Sequence, residues 1–160
     1  MWFDEFNTPI GKLTIAADDS GLRFVLFENN KYLPEQQSWQ RDCGATRFAR
    51  EQLLQYFAGE RQRFDLQLSP VGTEFQQKTW ATLAQIPFGG TWSYSELADK
   101  IGAPKAVRAV GAANGRNPLP IILPCHRVIG RDGSLTGFGG GLTTKKWLLD
   151  HEGAPARLNT

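Results

Sequence analysis

The spacing of apolar residues changes near residues 67–72, and this change limits the folds open to a chain of 160 residues. Upstream, short strand-like segments follow one another closely, whereas downstream the apolar positions recur at the spacing of amphipathic helices. Residues 67–72 contain Ser69-Pro70 and have the composition of a linker. We therefore predict an α+β fold, with a small N-terminal antiparallel-sheet α/β unit over 1–66 and a mainly helical C-terminal domain over 73–160.

The first unit is predicted to contain three strands and one helix. Segments 2–6, 12–17 and 22–27 have strand length and are separated by turn residues, so we expect them to pair as an antiparallel meander. Residues 47–58 carry apolar side chains at helical spacing, and Gly59 follows as a stop signal. Because no cluster of ionisable side chains suggests chemistry here, this unit is expected to serve as a scaffold.

The second part has the start and stop signals of successive helices. Thr73 is the predicted N-cap of a helix that ends at the Pro-Phe-Gly-Gly segment 87–90. Ser93, with a glutamate three residues later, forms a capping box before a short helix over 94–101. A third helix is predicted over 105–113. A short helix, a tight turn with glycine and an alanine-rich second helix indicate a helix-turn-helix, although a plain helical hairpin has the same pattern.

The charges are compatible with a nucleic-acid partner without proving one. The 18 Lys and Arg against 16 Asp and Glu leave a formal charge of +2, so only their distribution can decide. Lys105 and Arg108 lie on the early turns of the third predicted helix, where a DNA-binding helix carries cations.

The sequence argues against other classes of protein. No apolar run approaches the length of a membrane span, and the N-terminus has acidic residues and lacks the apolar region of a signal peptide. Cys43 and Cys125 are too few for a disulfide framework and fit the reducing cytosol, so we expect a cytoplasmic location. With only His126 and His151 beside them, a structural zinc site is not expected.

Cys125 is the residue best suited to chemistry. An apolar run over 119–123, predicted to be buried and extended, ends at Pro124 and presents the cysteine next to His126. The thiolate is the nucleophilic form, and a histidine that accepts its proton, or a helix beginning at Cys125, would favour it. Because adjacent side chains usually diverge, we expect the two residues to communicate through a water. The alternative is a small buried hydrophobe without chemistry.

Two features downstream complete a candidate site. Residues 136–141 form a glycine-rich loop with one aromatic side chain, Phe138, on which a flat ligand could stack; a flexible connector is the alternative. A last helix is predicted over 143–150 and places Glu152 just beyond its end. Glu152 is the one distant carboxylate suited to orient a histidine, as the third member of a Cys-His-carboxylate relay.

A further set of motifs surrounds the cysteine. The segment 124–128 has the sequence PCHRV, follows NP at 117–118, and precedes the glycine-rich loop and LDHEG at 149–153. These motifs resemble the O6-alkylguanine-DNA alkyltransferases, also called methylated-DNA–protein-cysteine methyltransferases. The resemblance is strong over 73–153 and looser over the first unit. It implies a DNA-repair protein that flips O6-alkylguanine out of the duplex and transfers the alkyl group irreversibly to Cys125.

The resemblance implies a chemical role for four residues. Cys125 matches the alkyl acceptor, His126 the water-linked base and Glu152 the residue that orients this base. Tyr94 matches the tyrosine that helps to rotate the nucleotide and donates a proton as guanine leaves. Such a division is chemically reasonable, because the thiolate attacks one side of the alkyl carbon while the leaving guanine needs a proton on the other.

The resemblance also implies which residues bind DNA and the flipped base. Arg108 matches the finger that fills the gap left by the base, and Asn117 matches the hinge between the recognition helix and the cysteine segment. The backbone around Val128 and Gly139 matches the wall that hydrogen-bonds the guanine. No cofactor and no metal are expected, since the first unit lacks the additional Cys and His ligands with which some members hold zinc.

The helix-turn-helix of this family is expected to lie in the minor groove and to bind with little sequence preference. Its second helix is rich in small residues without base-reading groups: Ala106, Ala109, Gly111, Ala112 and Ala113. Four cations are expected nearest the groove, of which the last would equally suit a buried ion pair: Lys105, Arg108, Arg116 and Arg127. The expected partner is double-stranded DNA containing O6-alkylguanine. The protein is expected to be a monomer in solution, and clustering on DNA is left open.

Two positions depart from the family pattern. Phe138 stands where many members have tyrosine, so stacking on a base would survive while any hydroxyl contact is lost. Arg116 adds a cation near the hinge, either for phosphate contact or without a role. Two other functions remain open: a cysteine hydrolase that uses Cys125 and His126, and a helix-turn-helix regulator without chemistry that uses only residues 93–117.

Overall fold

The predicted meander is present at the N-terminus. The computed structural model describes residues 1–30 and 33–154. Its first three strands are β1 (Trp2–Thr8), β2 (Gly11–Asp18) and β3 (Gly21–Phe27). β2 pairs antiparallel with both neighbours, which confirms the predicted arrangement.

A short edge strand and one helix complete the N-terminal unit. β4 (Gln40–Arg41) pairs parallel with β1 and gives the sheet order β3-β2-β1-β4; the sequence did not predict it, because two residues carry no periodicity. α1 (Arg47–Phe57) ends one residue before its predicted end. Gly59 follows with φ of 79°, a left-handed conformation that favours glycine. Leu53 and Tyr56 are fully buried on the inner face of α1.

The first two helices of the C-terminal part begin at their predicted caps. α2 (Glu74–Leu83) follows Thr73, and α3 (Tyr94–Lys100) follows Ser93. Each hydroxyl accepts a hydrogen bond of 3.1 Å from the backbone N–H three residues later. The side chain at that later position accepts from the backbone N–H of the cap, so both ends are capping boxes.

The second helix of the helix-turn-helix differs from the prediction at its start. α4 spans Val107–Gly115, whereas the helix was expected from Lys105. The backbone N–H of Ala106 donates to the carbonyl of Ala103 and closes residues 103–106 into a turn. Lys105 therefore lies in this turn and not on the helix. Ala113, predicted to face a groove, is buried, and its carbonyl accepts the indole N–H of Trp80 at 2.8 Å because α4 packs against α2.

The apolar run before the cysteine is buried, as predicted, but the expectation that it is extended is wrong. The backbone N–H of Leu123 donates to the carbonyl of Leu119 at 2.8 Å, and Ile121 has φ of 75°. Three prolines in and around this run lack the N–H groups that strand pairing requires. The segment therefore forms successive turns.

A two-stranded parallel sheet joins the helix-turn-helix to the cysteine segment. β5 (Trp92–Ser93) pairs with β6 (Val128–Ile129). Because α3 begins directly after β5 and Cys125 lies shortly before β6, this pairing brings the start of the helix-turn-helix near the cysteine. The last helix, α5 (Leu142–His151), extends one residue beyond each end of its predicted range.

One apolar core joins the two parts of the chain. It contains fully buried residues from β2, α1 and α5, among them Leu13, Leu53 and Leu148. The backbone N–H of Val25 also donates to the carbonyl of Pro118 at 2.9 Å. Within the described residues, no helix has both the length and the apolar character needed to cross a membrane.

Candidate active site

Cys125 is presented on a single 3-10 turn, Cys125–Arg127, after Pro124. A helix beginning at Cys125 was one predicted way to favour the thiolate, but this turn has only three residues and is too short for a sizeable dipole. Cys125 is 4% exposed, and this burial raises the pKa of its thiol to about 11, although a hydrogen bond with Asn117 and the charge of Lys145 lower it. The thiol is therefore protonated at neutral pH, and the site needs a base to activate it.

His126 lies beside the cysteine and is held by Glu152. Its Nε2 is 2.8 Å from Glu152 Oε2, and both side chains are fully buried. An ionised carboxylate can only accept, so Nε2 carries the proton and Nδ1 keeps its lone pair. Nδ1 has no hydrogen-bond partner among the described residues. Burial lowers the pKa of His126 while Glu152 raises it, so the imidazole is a neutral base.

Glu152 is bound by an arginine as well as by the histidine. Arg127 donates from Nε to Oε1 at 2.7 Å and from Nη2 to Oε2 at 3.0 Å, and it also donates to the carbonyl of Ile86. Burial alone would raise the pKa of Glu152, but the hydrogen bonds from His126 and Arg127 lower it to about 2. Arg127 is 6% exposed, so its inclusion among the groove cations is wrong and the buried-pair alternative holds.

The N-terminal unit also reaches this carboxylate. The hydroxyl of Tyr56, on α1, donates to Glu152 Oε2 at 2.6 Å. This unit was expected to be scaffold only, and nothing near Tyr56 in the sequence signals a contact with a residue so distant along the chain. Burial, followed by the charge of Glu152, raises the pKa of Tyr56, so the phenol stays protonated.

Tyr94 lies at the first position of α3, half-buried near the glycine-rich loop. Its hydroxyl is hydrogen-bonded to the hydroxyl of Thr136 at 2.7 Å. Burial raises the pKa of Tyr94 and outweighs the opposite effect of Thr136. The phenol therefore stays protonated at neutral pH, and it interacts electrostatically with Cys125.

Lys145 is a buried cation that the sequence analysis missed. Its Nζ donates to the carbonyl of Val128 at 2.6 Å and to that of Thr136 at 3.2 Å. Burial lowers the pKa of Lys145 to about 8, so most of the side chain is charged at neutral pH. Its helical spacing with Leu148, Leu149 and Glu152 was the signal available, since it places the lysine on the inner face of α5.

A cavity of about 250 Å³ opens beside the cysteine. Cys125, Asn114, Phe138 and Gly139 contribute to its wall. Phe138 packs against Phe27 of β3, with ring centroids 5.5 Å apart. The structure thus brings two members of the predicted base-binding loop to the predicted acceptor, and it adds Asn114, a buried residue not singled out in the sequence.

Asn117 connects α4 to the cysteine segment through two hydrogen bonds. Its Nδ2 donates to the carbonyl of Leu123 at 2.7 Å, and its Oδ1 accepts from the backbone N–H of Leu119 at 2.9 Å. Asn117 also contributes to the cavity wall. These two hydrogen bonds fix the position of the cysteine segment relative to the end of α4.

The three remaining cations lie on the outside of the helix-turn-helix. Arg108 is exposed on α4, Lys105 is exposed in the turn before it, and Arg116 is exposed directly after it. Ala109 and Ala112 are exposed on the same helix. The described residues contain no group of three or more His, Cys, Asp or Glu placed to hold a metal ion.

The fold and the site define a helix-turn-helix protein with a buried free cysteine beside a buried His-Glu pair. Two family models match it: the ribonuclease-like domain of 6-O-methylguanine DNA methyltransferase over residues 3–70, and the DNA-binding domain of the same protein over 74–154. The chain belongs to the 6-O-methylguanine DNA methyltransferase family.

Relatives and solved structures agree with this membership. A methylated-DNA–protein-cysteine methyltransferase from Methanosarcina acetivorans is 48% identical over 155 residues, which cover 96% of this chain and 99% of the relative. One from Mycobacterium tuberculosis is 51% identical over 154 residues, with coverages of 95% and 93%. The crystal structure of Mycobacterium tuberculosis OGT in complex with DNA superposes with a TM-score of 0.92 at 49% identity, covering 98% of this chain and 96% of that one.

Proposed function

We propose that this chain is a methylated-DNA–protein-cysteine methyltransferase, which repairs O6-alkylguanine in DNA by transferring the alkyl group to Cys125. The observation that carries the proposal is a thiol at a cavity next to His126, whose orientation a buried Glu152 fixes. The names of the relatives, and the DNA in the Mycobacterium tuberculosis complex, supply the substrate class.

The thiol must lose its proton as the sulfur attacks. With a thiol pKa of about 11, the thiolate is scarce at neutral pH, so a base has to take the proton during the reaction. The lone pair of His126 Nδ1 is the acceptor, reached through a water. Glu152 then stabilises the imidazolium, in the way the carboxylate of a catalytic triad does.

The leaving guanine, in contrast to the thiol, has to gain a proton. As the S–C bond forms, the bond between the alkyl carbon and guanine O6 breaks, and the electron pair stays on the guanine. The protonated phenol of Tyr94 supplies a proton to this anion, and the phenolate recovers one from solvent. The product on Cys125 is a thioether, a very poor leaving group, so each protein molecule reacts once.

A base inside a duplex cannot reach the cavity, so the nucleotide has to leave the stack. We assign Phe138 to stacking and the backbone of Val128 and Gly139 to hydrogen bonding of the flipped guanine. Arg108 fills the gap in the duplex and Asn117 is the hinge. The exposed small residues on α4 support binding in the minor groove with little sequence preference.

The remaining cations of the helix-turn-helix contact the DNA backbone. Lys105 and Arg116 are exposed at the two ends of α4 and bind phosphate in this proposal. The protein is a monomer in solution in this proposal. Its two free cysteines suit the reducing cytosol, where we place it.

Two cysteine variants test the proposal. Cys125→Ala should bind duplex DNA containing O6-methylguanine but leave the lesion intact, whereas Cys43→Ala should repair it at the wild-type rate because Cys43 is exposed and distant in sequence from the site. The amount of O6-methylguanine remaining in the recovered DNA is the measurement. Repair by Cys125→Ala would overturn the proposal.

A further inference from the structure

The Glu152 carboxylate receives four hydrogen bonds, and one of them crosses from the N-terminal unit. Oε1 accepts from Arg127, while Oε2 accepts from Arg127, His126 and the Tyr56 hydroxyl. A carboxylate offers about four acceptor sites in total. Three of the four bonds fall on Oε2, so Tyr56 and His126 share an oxygen whose acceptor sites are fully used.

Tyr56 is held rigidly at this position. It is fully buried, and its ring packs edge-on against Phe57, Phe88 and His151, with the His151 ring centroid 5.0 Å away. The backbone carbonyl of Tyr56 is 2.7 Å from His151 Nε2, a contact that fixes the backbone at the same point. The hydroxyl thus has a defined direction and stays desolvated.

We propose that Tyr56 is a positioning residue that weakens the support Glu152 gives to His126 and so lowers the reactivity of the Cys125 thiol in the DNA-free protein. The inference rests on the proposed function and deepens it, because it assigns to the N-terminal unit a control over the reactivity of the acceptor. A phenol that donates to Oε2 withdraws electron density from the oxygen that stabilises the imidazolium.

The other charged groups around His126 do not compete with this explanation. Arg127, on the same segment, and Lys145, on α5, both disfavour imidazolium formation, and both are retained when only Tyr56 is changed. Glu152, the residue directly after α5, favours it through its hydrogen bond and its charge. Removing the phenolic hydroxyl therefore strengthens the stabilisation of the imidazolium by Glu152 and leaves the opposing charges of Arg127 and Lys145 unchanged.

The variant Tyr56→Phe tests the inference in a Cys43→Ala background, where Cys125 is the sole cysteine. The measurement is the rate at which Cys125 reacts with iodoacetamide across pH, with sulfur displacing iodide. We expect the midpoint of the pH profile to fall and the rate at neutral pH to rise by roughly tenfold, the change that one unit of pKa produces. This reaction requires no DNA, so its outcome is independent of the repair assay.

A matched control separates this effect from general loosening. Thr79 is fully buried on α2, and its hydroxyl donates to the carbonyl of Phe75 at 2.9 Å, so Thr79→Val also removes one buried hydroxyl hydrogen bond. It should lower the melting temperature without moving the midpoint. A Tyr56→Phe profile that keeps the wild-type midpoint, or shifts it upward, would refute the inference, whatever the change in stability.

Discussion

Replacing Glu152 by glutamine tests the buried ion pair that organises the site. The Glu152 side chain is fully buried, and that of Arg127 is 7% exposed. Glutamine keeps the shape but leaves the guanidinium without a counter-charge, and breaking a buried pair in this way costs about 3–5 kcal/mol. At about 2–4 °C per kcal/mol for a chain of this size, the melting temperature should fall by about 10 °C.

The loss of stability caused by Glu152→Gln should become smaller as the pH falls. The pKa of Glu152 is about 2 in the folded protein, against a reference of 4.5. Because the folded value is the lower one, the carboxylate contributes about 3 kcal/mol above the reference pKa, and this contribution is lost as the pH falls towards the folded pKa. The difference in stability between wild type and Glu152→Gln should therefore shrink in acid.

Urea-induced unfolding followed by tryptophan fluorescence provides the assay. The controls are Arg127→Met and the double variant, in which neither partner of this pair is left as an unpaired buried charge. The double variant should be more stable than the sum of the two single losses predicts, because replacing both partners of a buried pair is close to neutral. If Glu152→Gln lowered the free energy of unfolding by less than about 1 kcal/mol, as the loss of an exposed ion pair does, the reasoning would be refuted.

Three further predictions concern DNA and the buried lysine. Duplex affinity should fall steeply with salt and vary little with undamaged sequence, since Lys105, Arg108 and Arg116 would displace counterions; a flat salt dependence in a titration would contradict this. Arg108→Ala should slow single-turnover repair more in duplex than in single-stranded DNA, and equal losses would favour a phosphate contact instead. Lys145→Met should raise the pKa of Cys125 and slow transfer at neutral pH without weakening duplex binding; an unchanged transfer rate would show that the charge has no effect.

Local signals in the sequence were sufficient for most of the fold. The capping boxes at Thr73 and Ser93 fix the starts of two helices through side chains three residues away, so the prediction needed no long-range information. The run 119–123 was buried as its composition indicated, but its conformation followed from the prolines within and beside it, which the apolar pattern does not take into account.

The candidate site was predictable where a motif carried it. Cys125, His126 and Glu152 were assigned from adjacent residues and a family pattern, and the structure places the last two in hydrogen-bond contact. Tyr56 was not predictable, because its partner is 96 residues away along the chain. Lys145 was missed because a lysine in a helix is normally solvated, although its helical spacing with Leu148 and Leu149 places it on the buried face of α5.

The stoichiometry of alkyl transfer tests the central claim most directly. The protein is incubated with an excess of duplex DNA containing O6-methylguanine, and its intact mass is measured together with the number of lesions removed. We expect the mass to increase by a single methylene, on the peptide that contains Cys125, and the number of lesions repaired to equal the number of protein molecules. An unchanged mass, or many lesions repaired per molecule as a cysteine hydrolase would achieve, would contradict the account.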